Sequence, residues 1–254
     1  MVILKSPREI EKIKKAGEVV SQILSELKRR IEPGISTLKI NEWSDELIRK
    51  FKVKSAFKGY KGYAHHICTS INDEVVHGIP SEKKILKNGD IIGLDFGVVY
   101  EGYYADSAIT VGIGEISEDI QKLIQVTETS LWKGIEKAQI DNHLEDISFA
   151  VQSYVEKHGF SVVREFVGHG IGQALHEDPP VPNYGQPGRG LMLKEGMVLA
   201  IEPMVNKGEP SVRILDDGWT AVTIDGSLSA HFEHTVALSS QGPKVLTEIG
   251  EMNA

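Results

Sequence analysis

The chain has 254 residues, a formal net charge of -8 and 41% hydrophobic residues, enough apolar material for a sizeable core. No stretch reaches the roughly 20 apolar residues that span a bilayer, and the opening MVILKSPREIEKIKK has too short an apolar run for a secretory signal. Cys68 is the one cysteine, which excludes an internal disulfide and leads us to expect a reducing, cytoplasmic setting.

Charge is unevenly spread. Residues 1–62 carry 15 Lys/Arg against 8 Asp/Glu, and residues 63–254 carry 13 against 28. Lysine-rich solvated helix faces account for this plainly; the sharper reading is a basic face that docks on an anionic partner, with the acidic excess gathered around a cation site.

Taken in order, a helix is signalled from Ser6 to about Arg30. Ser6 suits the N-cap, Pro7 the first helical position, and Glu9 completes a capping box. Ile10, Ile13, Gly17, Val20, Leu24, Leu27 and Ile31 follow at helical spacing until Pro33-Gly34. A shorter helix is expected from about Thr37 to Lys52, then strands and loops to about Gly114. Ser117 opens a second long helix; a break at Asp141–Asn142 leads to a shorter one ending before Gly159. Strands and glycine-rich loops follow again. The order thus repeats with an offset of roughly 106 residues (Leu38 to Leu144), although side-chain identity between the halves is poor. The expectation is one α+β domain over 1–254, with halves of about 1–114 and 115–254 related by pseudo-twofold symmetry and the site at their seam.

Four segments carry chemistry. In IIGLDFGVVYEGYYADSAITVGIG (91–114), two β-prone runs flank Glu101-Gly102, a hairpin turn. With those two residues as the loop, Asp95 faces Ala108 and Asp106 lies two residues along on the same face. Two inward carboxylates repel each other unless a cation sits between them. In EFVGHGIGQALHEDPPVPNYG (165–185), Gln173 stands where a dinucleotide fingerprint needs its third glycine, and Pro180 stands where a zinc helix needs its second histidine. What remains is His169 between glycines, which permit close approach of backbone to a ligand, and His176. In KEGMVLAIEPMV (194–205), Glu202 interrupts an apolar strand that Pro203 then ends; such a carboxylate needs a cation or many hydrogen bonds. In SAHFEHTVAL (229–238), alternation along one strand puts His231, Glu233 and Thr235 on one face. Four carboxylates and one histidine at strand ends suit a pair of divalent ions such as Mn, Co, Fe or Zn, and imply hydrolysis by a hydroxide held between them.

The runs NDEVVHGIP, LDFGVVYEGYYADSA, GHGIGQALHEDPPVPNYG, AIEPMV and GSLSAHFEHT resemble, in order, the motif series of the methionine aminopeptidases, and the resemblance extends from the first helix to Leu246. It implies the pita-bread fold, in which two α/β halves form a curved antiparallel sheet with helices outside and a dinuclear site at the seam. By motif, Asp95 resembles the bidentate ligand of one ion, Asp106 and Glu233 the bridging carboxylates, and His169 and Glu202 the remaining ligands. Glu202 also resembles the proton shuttle. His77 matches a histidine that contacts the substrate amide, and His176 one that reaches the substrate carbonyl. Tyr60, Tyr63, Cys68 and Trp219 fall where the family builds its methionine pocket, Cys68 as a small apolar residue rather than a nucleophile. Two positions depart: Leu175 stands at a site often aromatic, and Lys61 at one often histidine. The 33-residue spacing from His169 to Glu202 leaves no room for the large insertion of the eukaryotic-type subclass, so the compact type I enzyme is implied.

The expected function is removal of initiator methionine from nascent polypeptides with a small second residue, by a cytoplasmic monomer that needs no membrane or specific nucleic-acid sequence. The ribosome is the anionic partner that would suit the basic N-terminal part. The alternatives are a prolidase-like or Xaa-Pro peptidase of the same fold and a catalytically inert relative that acts as a binding protein. No G-x-S-x-G elbow supports a serine hydrolase.

Overall fold

A computed structural model describes residues 1–248; the last six residues of the expected 1–254 unit lie outside the described part. Helix α1 spans Pro7–Arg30 and is opened as its sequence requires: the Ser6 N–H and hydroxyl both donate to the Glu9 carboxylate, each at 2.7 Å. Ile13, Val20, Leu24 and Leu27 form its buried stripe. Helix α2 spans Thr37–Phe51 and ends at Lys52, which adopts a left-handed conformation. Helix α3, Glu118–Lys137, starts where the Ser117 hydroxyl accepts from the Ile120 N–H, and α4 follows at Leu144–Lys157. Long helix, short helix, then strands therefore occurs twice, as the sequence pattern predicts. No helix among the described residues is long and apolar enough to cross a membrane.

The strands Ile91–Tyr100 and Tyr103–Gly112 form a hairpin closed by Glu101-Gly102. Both turn residues have positive φ, 47° and 82°, the two-residue turn whose twist matches that of the flanking strands. This hairpin belongs to a nine-stranded sheet whose pairings are all antiparallel. Helix α1 packs on the hairpin, and α3 packs on α4 and on the sheet. Strand Glu233–Ser239 joins the halves: it pairs with Tyr103–Gly112 on one side and Val198–Ile201 on the other. One apolar cluster runs through both halves, from Ile13 and Phe96 to Leu199 and Val236.

One expectation needs correction. His231, Glu233 and Thr235 do not lie on one continuous strand. The chain breaks at Phe232, so that Ser229–His231 pairs with Met204–Asn206 while Glu233 enters the main sheet. The paired chain breaks at the same level, between Ile201 and Met204, because Pro203 has no N–H to give to a ladder. The two breaks let neighbouring strands change sheets together, and Glu202 sits in the gap. Its carbonyl accepts from Asn183 Nδ2 at 2.9 Å.

Candidate metal centre

Sheet register places four of the five candidate ligands, Asp95, Asp106, His169 and Glu233. Asp95 pairs with Ala108, and Ala108 with Glu233, so the three form one row across three strands and share a face. Asp106 lies two residues from Ala108 on that face. In the next row Thr235 pairs with Ala200, and Ala200 with His169, which brings His169 to the same side. Alanines at 108 and 200 leave space between the longer side chains.

The side chains converge accordingly. His169 Nε2 lies 3.5 Å from an Asp106 oxygen, 3.5 Å from Glu202 and 4.0 Å from Glu233. Its Nδ1 is 2.9 Å from the Gly170 carbonyl, which accepts the Nδ1–H and turns Nε2 toward the carboxylates. Asp106 is held by Thr235: the hydroxyl accepts from the Asp106 N–H at 3.2 Å and donates to its carbonyl at 2.8 Å. The glycines beside His169 serve the sheet rather than a ligand. A Cβ at 168 would stand 2.3 Å from the Ala200 carbonyl oxygen, and one at 170 would stand 2.2 Å from that of Asp178.

All the predicted site residues line one cavity of about 170 Å³. Asp95, Asp106, His169, Glu202 and Glu233 line it together with Tyr60, Tyr63, Cys68 and Trp219 and with His77 and His176. Tyr63 donates its hydroxyl toward the Ile67 and Gly78 carbonyls, at 3.1 and 3.2 Å, and its ring meets Trp219 edge-on at 5.0 Å. His176 stacks on Tyr60 at 5.2 Å, its Nδ1 2.8 Å from the tyrosine hydroxyl, and lies 4.2 Å from the His169 ring.

Sequence reasoning assigned no role to several neighbours. Phe57 lines the same cavity, as do Leu175 and Lys61, noted only as departures. Phe166 meets His77 edge-on at 5.4 Å. His231 Nε2 is 3.5 Å from Glu202 and has no hydrogen-bond partner. Alternation had put His231 and Thr235 on the Glu233 face; that was the only available signal.

Electrostatics supply the test for metal. Among the described residues no lysine or arginine pairs with any of the four carboxylates. Burial, then Asp106 and Glu202, raise Asp95 to about 7 against the opposition of His231. Burial, then Asp106, Glu202 and Asp95, push Glu233 well above the ordinary carboxylate range. Burial opposes charging of His169, yet Asp106 and Glu202 outweigh it and raise the group to about 9. Mutual repulsion of buried carboxylates gathered around the His169 Nε2 is what a divalent cation relieves, and Asp106, His169 and Glu233 already offer ligand atoms within 4.8 Å of one another. The residues fit a metal. His77 and His176 are instead lowered to about 4, by burial first and then by His231 and His169 respectively, and are neutral at pH 7. Burial, then Asp95, raises the Cys68 thiol well above its ordinary value, so it packs rather than attacks.

The model of metallopeptidase family M24 matches residues 11–240. The methionine aminopeptidase of Clostridium perfringens is 53% identical over 98% of this chain and 100% of its own. A crystal structure of the Thermotoga maritima methionine aminopeptidase superposes with a TM-score of 0.96 at 48% identity, covering 98% of this chain and 100% of that one. This chain belongs to the methionine aminopeptidases. The prolidase from Pyrococcus furiosus shares the fold alone, with a TM-score of 0.79 at 22% identity, and this chain covers 66% of its length. Methionine aminopeptidase, rather than prolidase, is thus the reading that stands, and the chain is a metallo-aminopeptidase with the pita-bread architecture expected of it.

A pH dependence follows for the chelated protein. Asp95, at about 7 when folded against an ordinary 3.8, keeps a proton that the unfolded chain has released, so stability falls as pH rises from about 4 to 7. His169, at about 9 against 6.5, contributes stability that is complete below 6.5 and lost as pH rises toward 9. Melting temperature of the chelated protein should therefore decline from about pH 5 to 9, and metal should abolish most of the decline. Calorimetry across that range checks this; a flat profile without metal refutes it.

Proposed function

We propose that this enzyme removes initiator methionine from nascent polypeptides whose second residue is small, using two divalent ions held by Asp95, Asp106, His169, Glu202 and Glu233. The supporting observation is that those five side chains line one cavity with the aromatic residues Tyr60, Tyr63 and Trp219. Bound divalent ions such as Mn, Co, Fe or Zn supply Lewis acidity at the scissile carbonyl and a more acidic water. Glu202 takes the proton of the attacking water and passes it to the leaving amine as the C–N bond breaks. His77 and His176, both neutral, donate hydrogen bonds to the substrate amide and carbonyl. When the Tyr60 hydroxyl donates to His176 Nδ1, the ring's proton resides on Nε2, which is left to face the substrate. Tyr60, Tyr63, Cys68 and Trp219, together with Phe57 and Leu175, enclose the methionine side chain.

We read residues 1–254 as one catalytic domain, because strand Glu233–Ser239 ties both halves into one sheet; a cytoplasmic monomer is the accompanying proposal, with Cys68 as the one cysteine suiting a reducing compartment. The basic excess of residues 1–62 suits docking on the ribosome, near emerging N-termini. After chelation, Met-Ala-Ser should be inert; Mn or Co should restore methionine release, favouring it over Met-Leu-Ser by about tenfold or more. Failure with every metal, or preferential cleavage of Ala-Pro peptides, overturns the assignment.

A further inference from the structure

The segment that carries His176 is fastened by the first residues of the chain. Lys5 Nζ lies 2.6 Å from a Glu177 carboxylate oxygen, and the two side chains are only 3% and 8% exposed. Lysine is almost never buried unless paired. The ammonium also donates to the Ile3 carbonyl at 2.8 Å, and the Lys5 N–H donates to the Gly196 carbonyl at 2.7 Å, so the lysine is itself anchored. The other Glu177 oxygen accepts from the Ala174 N–H at 3.1 Å, closing the loop around the pair. Packing is tight there: a Cβ at Gly172 would stand 2.5 Å from Lys5 Cε and 2.7 Å from Glu177 Oε1. A second tie reaches the same loop. Gln173 Nε2 donates to the Tyr103 hydroxyl at 2.8 Å, and that hydroxyl donates to Glu9 at 2.9 Å.

We propose that Lys5 is a positioning residue, whose buried ion pair with Glu177 fixes the loop that holds His176 over the ligand cluster. The inference rests on the reading of His176 as the substrate-carbonyl donor. Adjacency gives the reason: Glu177 is the next residue along the chain, so freedom at its carboxylate becomes displacement of the imidazole. Small displacements of a positioned group are costly, and supporting contacts of this kind are worth about 10–100-fold in activity.

The test uses full-length enzyme loaded with Mn and reads kcat and KM on Met-Ala-Ser. Lys5→Met and Glu177→Gln should each lower kcat about tenfold with KM within about twofold. Either single variant strands a buried polar or charged group and lowers the melting temperature. The double variant Lys5→Met/Glu177→Gln leaves no unpaired charge, so its melting temperature should recover while kcat stays about tenfold down. In a His176→Ala background Lys5→Met should cost nothing further, because the lysine acts through that ring. Recovery of kcat with melting temperature in the double variant overturns the proposal, as does an equal loss in the His176→Ala background. If His176→Ala lowers kcat but the Lys5 variants do not, this proposal alone falls. If His176→Ala has no effect, the role given to His176 falls and the proposal with it.

Discussion

Glu202→Gln is expected to lower methionine release from Met-Ala-Ser by about 10²–10⁴-fold, the range set by loss of a positioned acid–base group. The substitution keeps length and volume, removes the ability to hold and return a proton, and weakens Glu202 as a metal ligand, so metal content is part of the comparison. Glu202 occupies the gap where two paired strands change sheets, with its carbonyl tied to Asn183 and its carboxylate beside His169 and His231. No ladder contact depends on it, so the fold should survive. The loss should fall on kcat rather than KM, since proton transfer is needed only in the reaction itself. Steady-state kinetics with saturating Mn, alongside measured metal content, make the comparison. A variant that retains full metal and turns over within about fivefold of wild type removes Glu202 from the proton-transfer role.

Glu233→Gln should act in opposite directions on activity and stability. Glu233 is 3% exposed and is raised well above the ordinary carboxylate range by burial, then by Asp106, Glu202 and Asp95. In metal-free protein at pH 8 the folded state must therefore either retain a proton or bear a buried charge, and both disfavour folding. A glutamine amide removes that cost and can donate to the neighbouring carboxylates. A gain of about 1–2 kcal/mol is expected for the chelated protein, the scale typical of relieving a strained functional site. Activity should fall by about 10³-fold or more if Glu233 holds the metal as proposed, because loss of a ligand carboxylate forfeits several kcal/mol of charge stabilisation, at 1.36 kcal/mol per tenfold. Urea melts of chelated protein and methionine release with saturating Mn measure the two effects. A destabilised, chelated Glu233→Gln would show that this carboxylate supports the fold rather than burdens it.

Much of the architecture was legible because its signals are local. Ser6, Pro7 and Glu9 open α1, and Ser117 opens α3, through contacts within a single helical turn. Glu101-Gly102 fixes the hairpin loop at two residues, and that length sets the register that places Asp95 opposite Ala108. The metal-ligand candidates were legible for a related reason. Carboxylates interrupting apolar strands are too costly to bury without a cation, so Asp95, Asp106, Glu202 and Glu233 stood out by residue type and strand position.

The remaining features depend on partners far apart in sequence. Alternation suggested one strand through residues 229–238, but the break at Phe232 is matched by the break at Pro203, and neither alone predicts where the other lies. The glycines around His169 look like ligand-approach positions until the Ala200 and Asp178 carbonyls are in place against them. Lys5 reads as an ordinary solvated lysine in the sequence; only the folded chain, closing a separation of 172 residues, buries it against Glu177. By itself the sequence determined the helices and the hairpin register and singled out the carboxylates proposed as metal ligands, since caps, turns and desolvation cost are properties of neighbouring residues. The tertiary structure decided which face those side chains share, what else lines their cavity and which carboxylate Lys5 is buried against, because sheet pairing and burial bring together residues that no short-range rule relates.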